Sequence, residues 1–378
     1  MNPIALIFRT GLLPPSETFI ATQAHALRRY APVFAGLRRI PAGFDLDPCE
    51  TVLLTRTSTP ADKLRRRLFL HTGIAPQFQR ALRVRHPALL HAHFGVDAAI
   101  ALPLEKHLRV PLLVTLHGYD ATTSDASLRR TLPGRLFLRR RTELRTRARL
   151  FICVSEHIRQ QALARGVPAD KLRVLPIGVD LSLFAPDPCY SRSLDPIVLF
   201  IGRLVEKKGC EHLLRAMALV EKRHPTAKLL IVGDGPLLDP LRAQARATVQ
   251  HCTFLGAQPP CVVRDLMHRA SVLAATSVVA ANGDTEGLPI VLCEAQAIGL
   301  PIAAFHGPGV DEAVVDQETA LLSPSGDHAA LADCIDALLN DPALAASLAA
   351  AGRRRAETHF SLSTQTALLE DIYDELLR

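Results

Sequence analysis

Ile197-Val198-Leu199-Phe200-Ile201-Gly202-Arg203-Leu204-Val205-Glu206-Lys207-Lys208-Gly209 opens with an apolar run, breaks at glycine, and passes through a charged turn into a helical pattern reaching Arg223. A short, unbroken apolar run suits a strand covered on both faces, and such strands belong to parallel sheets flanked by helices. The unit recurs downstream. Residues 228–232 precede Gly233-Asp234-Gly235-Pro236, residues 252–256 and 271–275 read as strands, and residues 301–304 precede His306-Gly307-Pro308-Gly309. It also recurs upstream, at Ile4-Ala5-Leu6-Ile7-Phe8 and near residues 32–37, 51–54, 89–93, 110–116 and 150–154. A chain of 378 residues exceeds one ordinary core. The proline-rich residues 186–196 suit a domain boundary. The expected fold is α/β, with two doubly wound, Rossmann-like domains facing a cleft, 1–186 and 187–360.

Ligands in such folds gather at the carboxyl ends of the strands. Arg203 and Lys208, in the turn opened by Gly202, can present two cations to a diphosphate. The same pair also suits a solvated loop. The turn has neither Walker spacing nor G-x-G-x-x-G, so an ATPase loop and a dinucleotide site are both unsupported. Further on, Asp284-Thr285-Glu286-Gly287-Leu288-Pro289-Ile290-Val291-Leu292-Cys293-Glu294-Ala295 sets two glutamates around a helix start. Glu286 is expected in the loop and Glu294 two turns inside the helix. At ~1.5 Å per residue that step covers roughly 12 Å, about the reach from sugar to ribose in a nucleotide diphosphosugar. The free amides after Gly287 would face polar or anionic ligand groups. An ordinary amphipathic helix with one buried and one exposed glutamate is the plainer alternative.

Two glutamates around a Gly-Leu-Pro helix start resemble the signature of the retaining glycosyltransferases of family four, which have the GT-B fold. Pro15-Ser16-Glu17-Thr18-Phe19-Ile20 resembles the N-terminal motif of the colanic acid and amylovoran type transferases within it. The resemblance implies that Glu294 binds the nucleotide ribose and that Glu286, with Gly287, Leu288, Pro289 and Ile290 and the free amides among them, lies by the donor sugar. It implies that Arg203 and Lys208 neutralise the departing diphosphate and that Leu255 and Gly256 stand near the base. It also implies that His117 contacts the transferred sugar and that a last helix, 361–378, crosses back onto the first domain. In His306-Gly307-Pro308-Gly309-Val310-Asp311-Glu312, Asp311 stands where the family usually has proline, which puts a phosphate role for that turn in doubt.

In the first half, Gly11, Ser16 and Glu17 fall in a strand-to-helix crossover, with Ser16 suited to cap the helix. His93 and His117 fall at successive strand ends, each beside glycine, and Asp120 follows the second. Together these are candidates for an acceptor or cleft site. Two histidines without a third ligand at a suitable spacing make no metal site, so none is expected.

The net charge of +7 hides an asymmetry. Residues 1–188 carry 28 Lys+Arg against 14 Asp+Glu, leaving 16 against 23 in the rest. Much of the excess lies in residues 61–85 and in an arginine-rich stretch, 127–150, interrupted at Pro133-Gly134. A basic half can meet nucleic acid, anionic lipid or a phosphorylated substrate. With no Trp, 4 Tyr and no nucleic-acid motif, the first is not supported. The 8 cysteines form no C-x-x-C pair and read as buried, reduced thiols of a cytosolic protein. No run approaches the ~18 apolar residues of a spanning helix, so membrane contact would be peripheral, on the cytoplasmic face.

The expectation is a retaining, metal-independent glycosyltransferase with no cofactor. It would move a sugar from a UDP- or GDP-sugar to a lipid-pyrophosphate-linked oligosaccharide in exopolysaccharide biosynthesis, its basic half meeting an anionic membrane. A transferase acting on a soluble sugar or sugar phosphate, and a non-catalytic nucleotide-sugar-binding protein, are the alternatives. A nicotinamide-dependent oxidoreductase would fit bare alternation but finds no fingerprint.

Overall fold

The computed structural model describes residues 2–14, 17–40, 46–187, 189–190 and 195–378. The chain forms two compact units, Met1–Gly178 with Leu362–Arg378, and Val179–Ser361.

The first unit is built on seven strands, β1 (Ile4–Leu12), β2 (Ala31–Arg39), β3 (Glu50–Leu53), β4 (Pro87–His93), β5 (Leu112–Leu116), β6 (Leu150–Cys153) and β7 (Leu172–Val174). They pair in parallel in the order β3-β2-β1-β4-β5-β6-β7. The order reverses between β1 and β4, so the crevice for a ligand opens where those two strands end. Gly11, expected in a loop, lies inside β1 opposite Arg38. A Cβ there would come 2.8 Å from Ile40 Cδ1. The basic region 61–85 is two helices, Pro60–Thr72 and Pro76–Arg83, parted by Gly73 at φ 71. Pro133 and Gly134 open the helix Leu132–Arg147 instead of interrupting one, because Thr131 caps it by accepting from Gly134 N at 3.1 Å.

The final helix, Leu362–Leu377, sends Leu369, Tyr373 and Leu376 into the core beside Ala5, Ile7, Leu89 and Leu113. Its Glu370 accepts from the backbone N–H of Arg28 and Arg29 at 2.8 and 2.6 Å, and Asp374 accepts from Tyr30 OH at 2.6 Å.

The second unit contains β8 (Ile197–Ile201), β9 (Lys228–Val232), β10 (Cys252–Gly256), β11 (Val272–Ala275), β12 (Ile302–Phe305) and β13 (Leu321–Ser323). All pair in parallel in the order β10-β9-β8-β11-β12-β13, reversing between β8 and β11. Val198, Phe200, Ile231 and Phe305 pack with helix residues Leu213, Met217, Leu331 and Ile335. The division falls at 178/179, where the sequence suggested 186/187. The reason is local: Arg353 Nη1 donates to Phe184 O at 3.0 Å and Ala297 O at 2.6 Å, which holds the exit segment on the second unit.

All eight cysteines are free, yet Cys189 and Cys261 are exposed, against the expectation of buried thiols. Cys261 sits in the first turn of the helix Pro260–Arg269, before that helix meets its core. No single helix among the described residues is long and apolar enough to cross a membrane. The bent pair His328–Asn340 and Pro342–His359 passes together on length and composition, but its apolar residues belong to the second core.

Candidate active site

In the second unit the turns after β8, β9, β11 and β12 are locked to one another. Leu204 N donates to Asp234 O at 2.9 Å, Thr276 Oγ1 donates to Lys208 O at 3.0 Å, and Val278 N donates to Lys207 O at 2.8 Å. The approach is so close that a Cβ on Gly233, at φ +137, would lie 1.9 Å from Gly202 O. One on Gly309, at φ +73, would lie 2.6 Å from Gly287 O. Only glycine fits such positions.

The helix Ile290–Ile298 starts directly after Pro289, with no side chain capping it, so its first amides are open to an anion. Glu294 therefore stands in the second turn, closer to the helix start than expected. The ~12 Å helical rise does not apply, since 286–289 are loop. Glu286 is 8% exposed and accepts from Lys208 Nζ at 2.6 Å and Ser277 Oγ at 2.9 Å. Burial pushes its pKa up, but Lys208, Lys207 and Ser277 outweigh burial and hold it below the ordinary carboxylate value. Lys207 pairs with Asp284 at 3.1 Å. Glu294 has no hydrogen bond or ion pair with any described residue, and burial raises its pKa to about 8. Arg203 is exposed and likewise unpaired among the described residues. Of the two expected cations, Arg203 is free, whereas Lys208 is already neutralised by Glu286. Leu255 and Gly256 end β10, the edge strand, and Gly256 O accepts from Gly233 N at 2.8 Å. Asp311 receives His306 Nδ1 at 3.0 Å in an exposed pair.

In the first unit, β4 and β5 bring His93 and His117 together, Nδ1 to Nε2 at 3.0 Å, with ring centroids 5.3 Å apart. Phe94 and Phe19 stand 4.6 and 5.0 Å from the His117 ring. Arg9, inside β1 just past its apolar run, crosses the Phe94 face at 4.3 Å. It is paired with Glu17 at 2.6 Å and with Asp97, which also accepts from Thr10 N at 2.8 Å. Glu17 is thus engaged with Arg9. Asp120, expected at the cleft, is 2% exposed; its carboxylate accepts from the backbone N–H of Gly95, His117 and Gly118 at 2.6, 3.2 and 3.1 Å. It fixes the loop that carries His117. Ser16 lies outside the described residues. No cluster of three or more His, Cys, Asp or Glu suited to a metal occurs among the described residues.

Residues 17–183 match the family model Glycosyltransferase Family 4, and residues 191–355 match Glycosyl transferases group 1. The chain belongs to glycosyltransferase family four. This transferase is 29% identical to the GDP-mannose-dependent alpha-(1-6)-phosphatidylinositol monomannoside mannosyltransferase of Mycolicibacterium smegmatis, over 96% of its own chain and 94% of that one. It is 27% identical to the amylovoran biosynthesis glycosyltransferase AmsK of Erwinia amylovora, over 75% of its chain and 69% of that one. It superposes on the crystal structure of Anabaena Alr3699/HepE in complex with UDP and glucose with a TM-score of 0.78 at 20% identity, covering 99% of this chain and 100% of that one. That likeness establishes the GT-B fold.

Sequence reasoning missed four residues at the transferase's candidate site: Arg9, Asp97, His91 and Ser277. Arg9 carried a signal, as a charge directly after an apolar run. Asp97 carried none, because its partners Arg9 and Thr10 are distant in sequence, and Ser277 none, because nothing in the residues between it and Glu286 marks their contact.

Proposed function

We propose that this transferase moves a sugar from a UDP- or GDP-sugar to a hydroxyl of a lipid-pyrophosphate-linked oligosaccharide during cell-surface polysaccharide biosynthesis, with retention and without a metal. The observation that carries the reading is the Lys208–Glu286 pair and the partnerless Glu294 at one uncapped helix start, with the unpaired Arg203 in the same turn as Lys208. Glu294 accepts from the ribose hydroxyls. Arg203 and Lys208 hold the diphosphate, stabilising the charge that grows as it leaves. Glu286 and the N–H groups of Gly287, Leu288 and Ile290 hold the donor sugar, and His117 meets a sugar hydroxyl. Leu255 and Gly256 stand near the base. The acceptor oxygen bonds to the anomeric carbon on the face the diphosphate leaves, and its proton passes to the departing phosphate oxygen.

The names of the two sequence relatives, one acting on a phosphatidylinositol mannoside and one in amylovoran biosynthesis, support a lipid-bound or polymeric acceptor. So does a cavity of about 540 Å³ in the first unit, lined by Arg38, Lys63, Arg67, Leu64 and Leu70. Arg38, Lys63 and Arg67 form no ion pair with any described residue. The protein then works peripherally at the cytoplasmic face of a membrane.

The test is thermal stabilisation by UDP, GDP, ADP and NAD in wild type and Glu294→Ala. A ligand at 100 times its Kd stabilises by about 2.7 kcal/mol. UDP or GDP should raise Tm in the wild type and not in the variant. No response to either, or an unchanged response in the variant, overturns the donor-site assignment.

A further inference from the structure

His93 ends β4 and His117 directly follows the adjacent parallel strand β5; His93 is in register with Thr115, two residues before His117, so both rings stand at the same edge of the sheet. Their one hydrogen bond joins His93 Nδ1 to His117 Nε2. His117 Nδ1 is buried and has no hydrogen-bond partner among the described residues. A buried ring nitrogen left without a partner is costly, and an exchangeable ligand is the usual compensation. His93 is itself clamped from behind. It stacks on His91 at 4.3 Å, and His91 is fixed at both nitrogens, by Tyr373 OH and by Thr115 Oγ1, each at 2.7 Å.

Burial drives the pKa of both His93 and His117 well below the ordinary value, and Arg9 lowers each further. Arg9 faces the pair from β1 as a fixed charge; His91 faces it from β4 and is itself neutral, burial having pushed its pKa down to about 3. Both rings are therefore neutral near pH 7, each carrying one proton. A single proton occupies the bond between them, so the tautomer of one ring dictates that of the other. If His93 donates, His117 presents an N–H at Nδ1; if His93 accepts, His117 presents a lone pair there.

We propose that His93 is a positioning residue, which fixes the ring and the single tautomer of His117 so that Nδ1 is offered to the transferred sugar in one defined hydrogen-bonding role. The proposal rests on the reading of His117 as the sugar-contacting residue.

The test compares wild type, His93→Phe, His93→Asn and His117→Ala, with two readouts. Nitrogen NMR of histidine-labelled protein reports the tautomers without any substrate. Wild-type His117 should show one tautomer, and His93→Phe a mixture. Asparagine keeps a polar atom near the position of Nδ1 and should restore the single form. In turnover of UDP-glucose or GDP-mannose, whichever the wild type uses, His93→Phe should lower kcat by roughly tenfold to a hundredfold, the size of a small misplacement. Donor KM should stay within about twofold, and His93→Asn should recover most of the loss. Mixed tautomers in the wild type, full kcat in His93→Phe, or an equal defect in His93→Asn would overturn the proposal. Full activity in His117→Ala would instead remove the sugar-contact reading, while the NMR result on the pair would still stand.

Discussion

Lys208 Nζ lies 2.6 Å from Glu286 Oε1, and only 18% and 9% of the two side chains are exposed. On the proposed donor site a diphosphate would have to share Lys208 with a carboxylate, whereas Arg203 has no described partner to give up. This orders the expected effects of mutation. Glu286→Gln releases Lys208, so UDP or GDP should bind at least as tightly as to wild type, while transfer falls about a hundredfold, as for loss of a preorganised polar group. Arg203→Ala should weaken the nucleotide about tenfold, roughly 1.4 kcal/mol. Calorimetric titration beside a transfer assay reads both. Weaker nucleotide binding in Glu286→Gln would mean that Glu286 supports the phosphate site instead of competing for it.

Glu294 makes the site pH-sensitive. Its folded pKa of about 8 lies above the ~4.3 of a free glutamate. Between those values the folded state holds a proton that the unfolded state has lost. Its contribution to stability is therefore complete below about pH 4 and is lost as pH rises through 8. Glu294→Gln should gain Tm relative to wild type between pH 5 and pH 9, by about 2 to 4 °C per kcal/mol recovered. In the proposed donor site ribose hydroxyls would donate to this carboxylate, so nucleotide affinity in the wild type should rise over the same window and stay flatter in the variant. A constant Tm difference across pH would show that Glu294 is already ionised.

Gly233 supports the same site through backbone approach. With φ at +137 and a Cβ only 1.9 Å from Gly202 O, Gly233→Ala must push the β8 turn away or distort its own loop. A loss of about 1 to 3 kcal/mol is expected, along with weaker nucleotide binding, because Arg203 follows Gly202 directly. Gly256→Ala, where a Cβ would meet nothing within 4 Å, isolates the cost of a positive φ, here +68, from the clash. Chemical denaturation of the two variants separates those terms.

The alternation of strands and helices was legible because parallel strands, covered on both faces, leave unbroken apolar runs such as Ile197 to Ile201. Glu286, Glu294, Arg203 and Lys208 were legible as neighbours of glycine turns at strand ends. The ion pair between Lys208 and Glu286 was not legible, since it joins turns after two different strands. Asp120 misled for a related reason. A carboxylate after His-Gly-Tyr reads as a ligand group, but three backbone N–H groups, one of them from Gly95 after β4, occupy it. The compact units part at 178/179, a few residues before the proline-rich stretch, because Arg353, far along the sequence, holds residue 184 on the second unit, and proline content does not report that contact.

Asp120→Ala tests that structural role. It removes the acceptor of three buried N–H groups, one of them His117's own, at about 1 to 3 kcal/mol for a buried donor left unpaired. Tm should fall, and transfer should fall further than nucleotide affinity, because the groups proposed to bind the nucleotide belong to the other unit. Normal stability with lost transfer would instead make Asp120 a direct participant.

The helix Pro60–Thr72 carries the last prediction. Leu64 and Leu68, one helical turn apart, are 67% and 55% exposed, and Ile74 just beyond is 60% exposed. Lys63, Arg65 and Arg67 alternate with the two leucines. Exposed leucines flanked by cations suit the interface of an anionic bilayer, each basic residue adding about 1 kcal/mol near the surface. The protein should sediment with vesicles of phosphatidylglycerol and phosphatidylcholine, and less at high salt. Leu64→Glu with Leu68→Glu should abolish sedimentation while leaving Tm within about 1 °C, since neither side chain is in the core. Nucleotide binding, which the proposal assigns to the second unit, should be unchanged. Sedimentation that survives the double substitution would move the membrane contact to the arginines of Leu132–Arg147, whose exposed Arg135 and Arg139 lie on the same helix. No sedimentation even in the wild type would favour the cavity beside Lys63 and Arg67 as a site for a soluble phosphorylated acceptor.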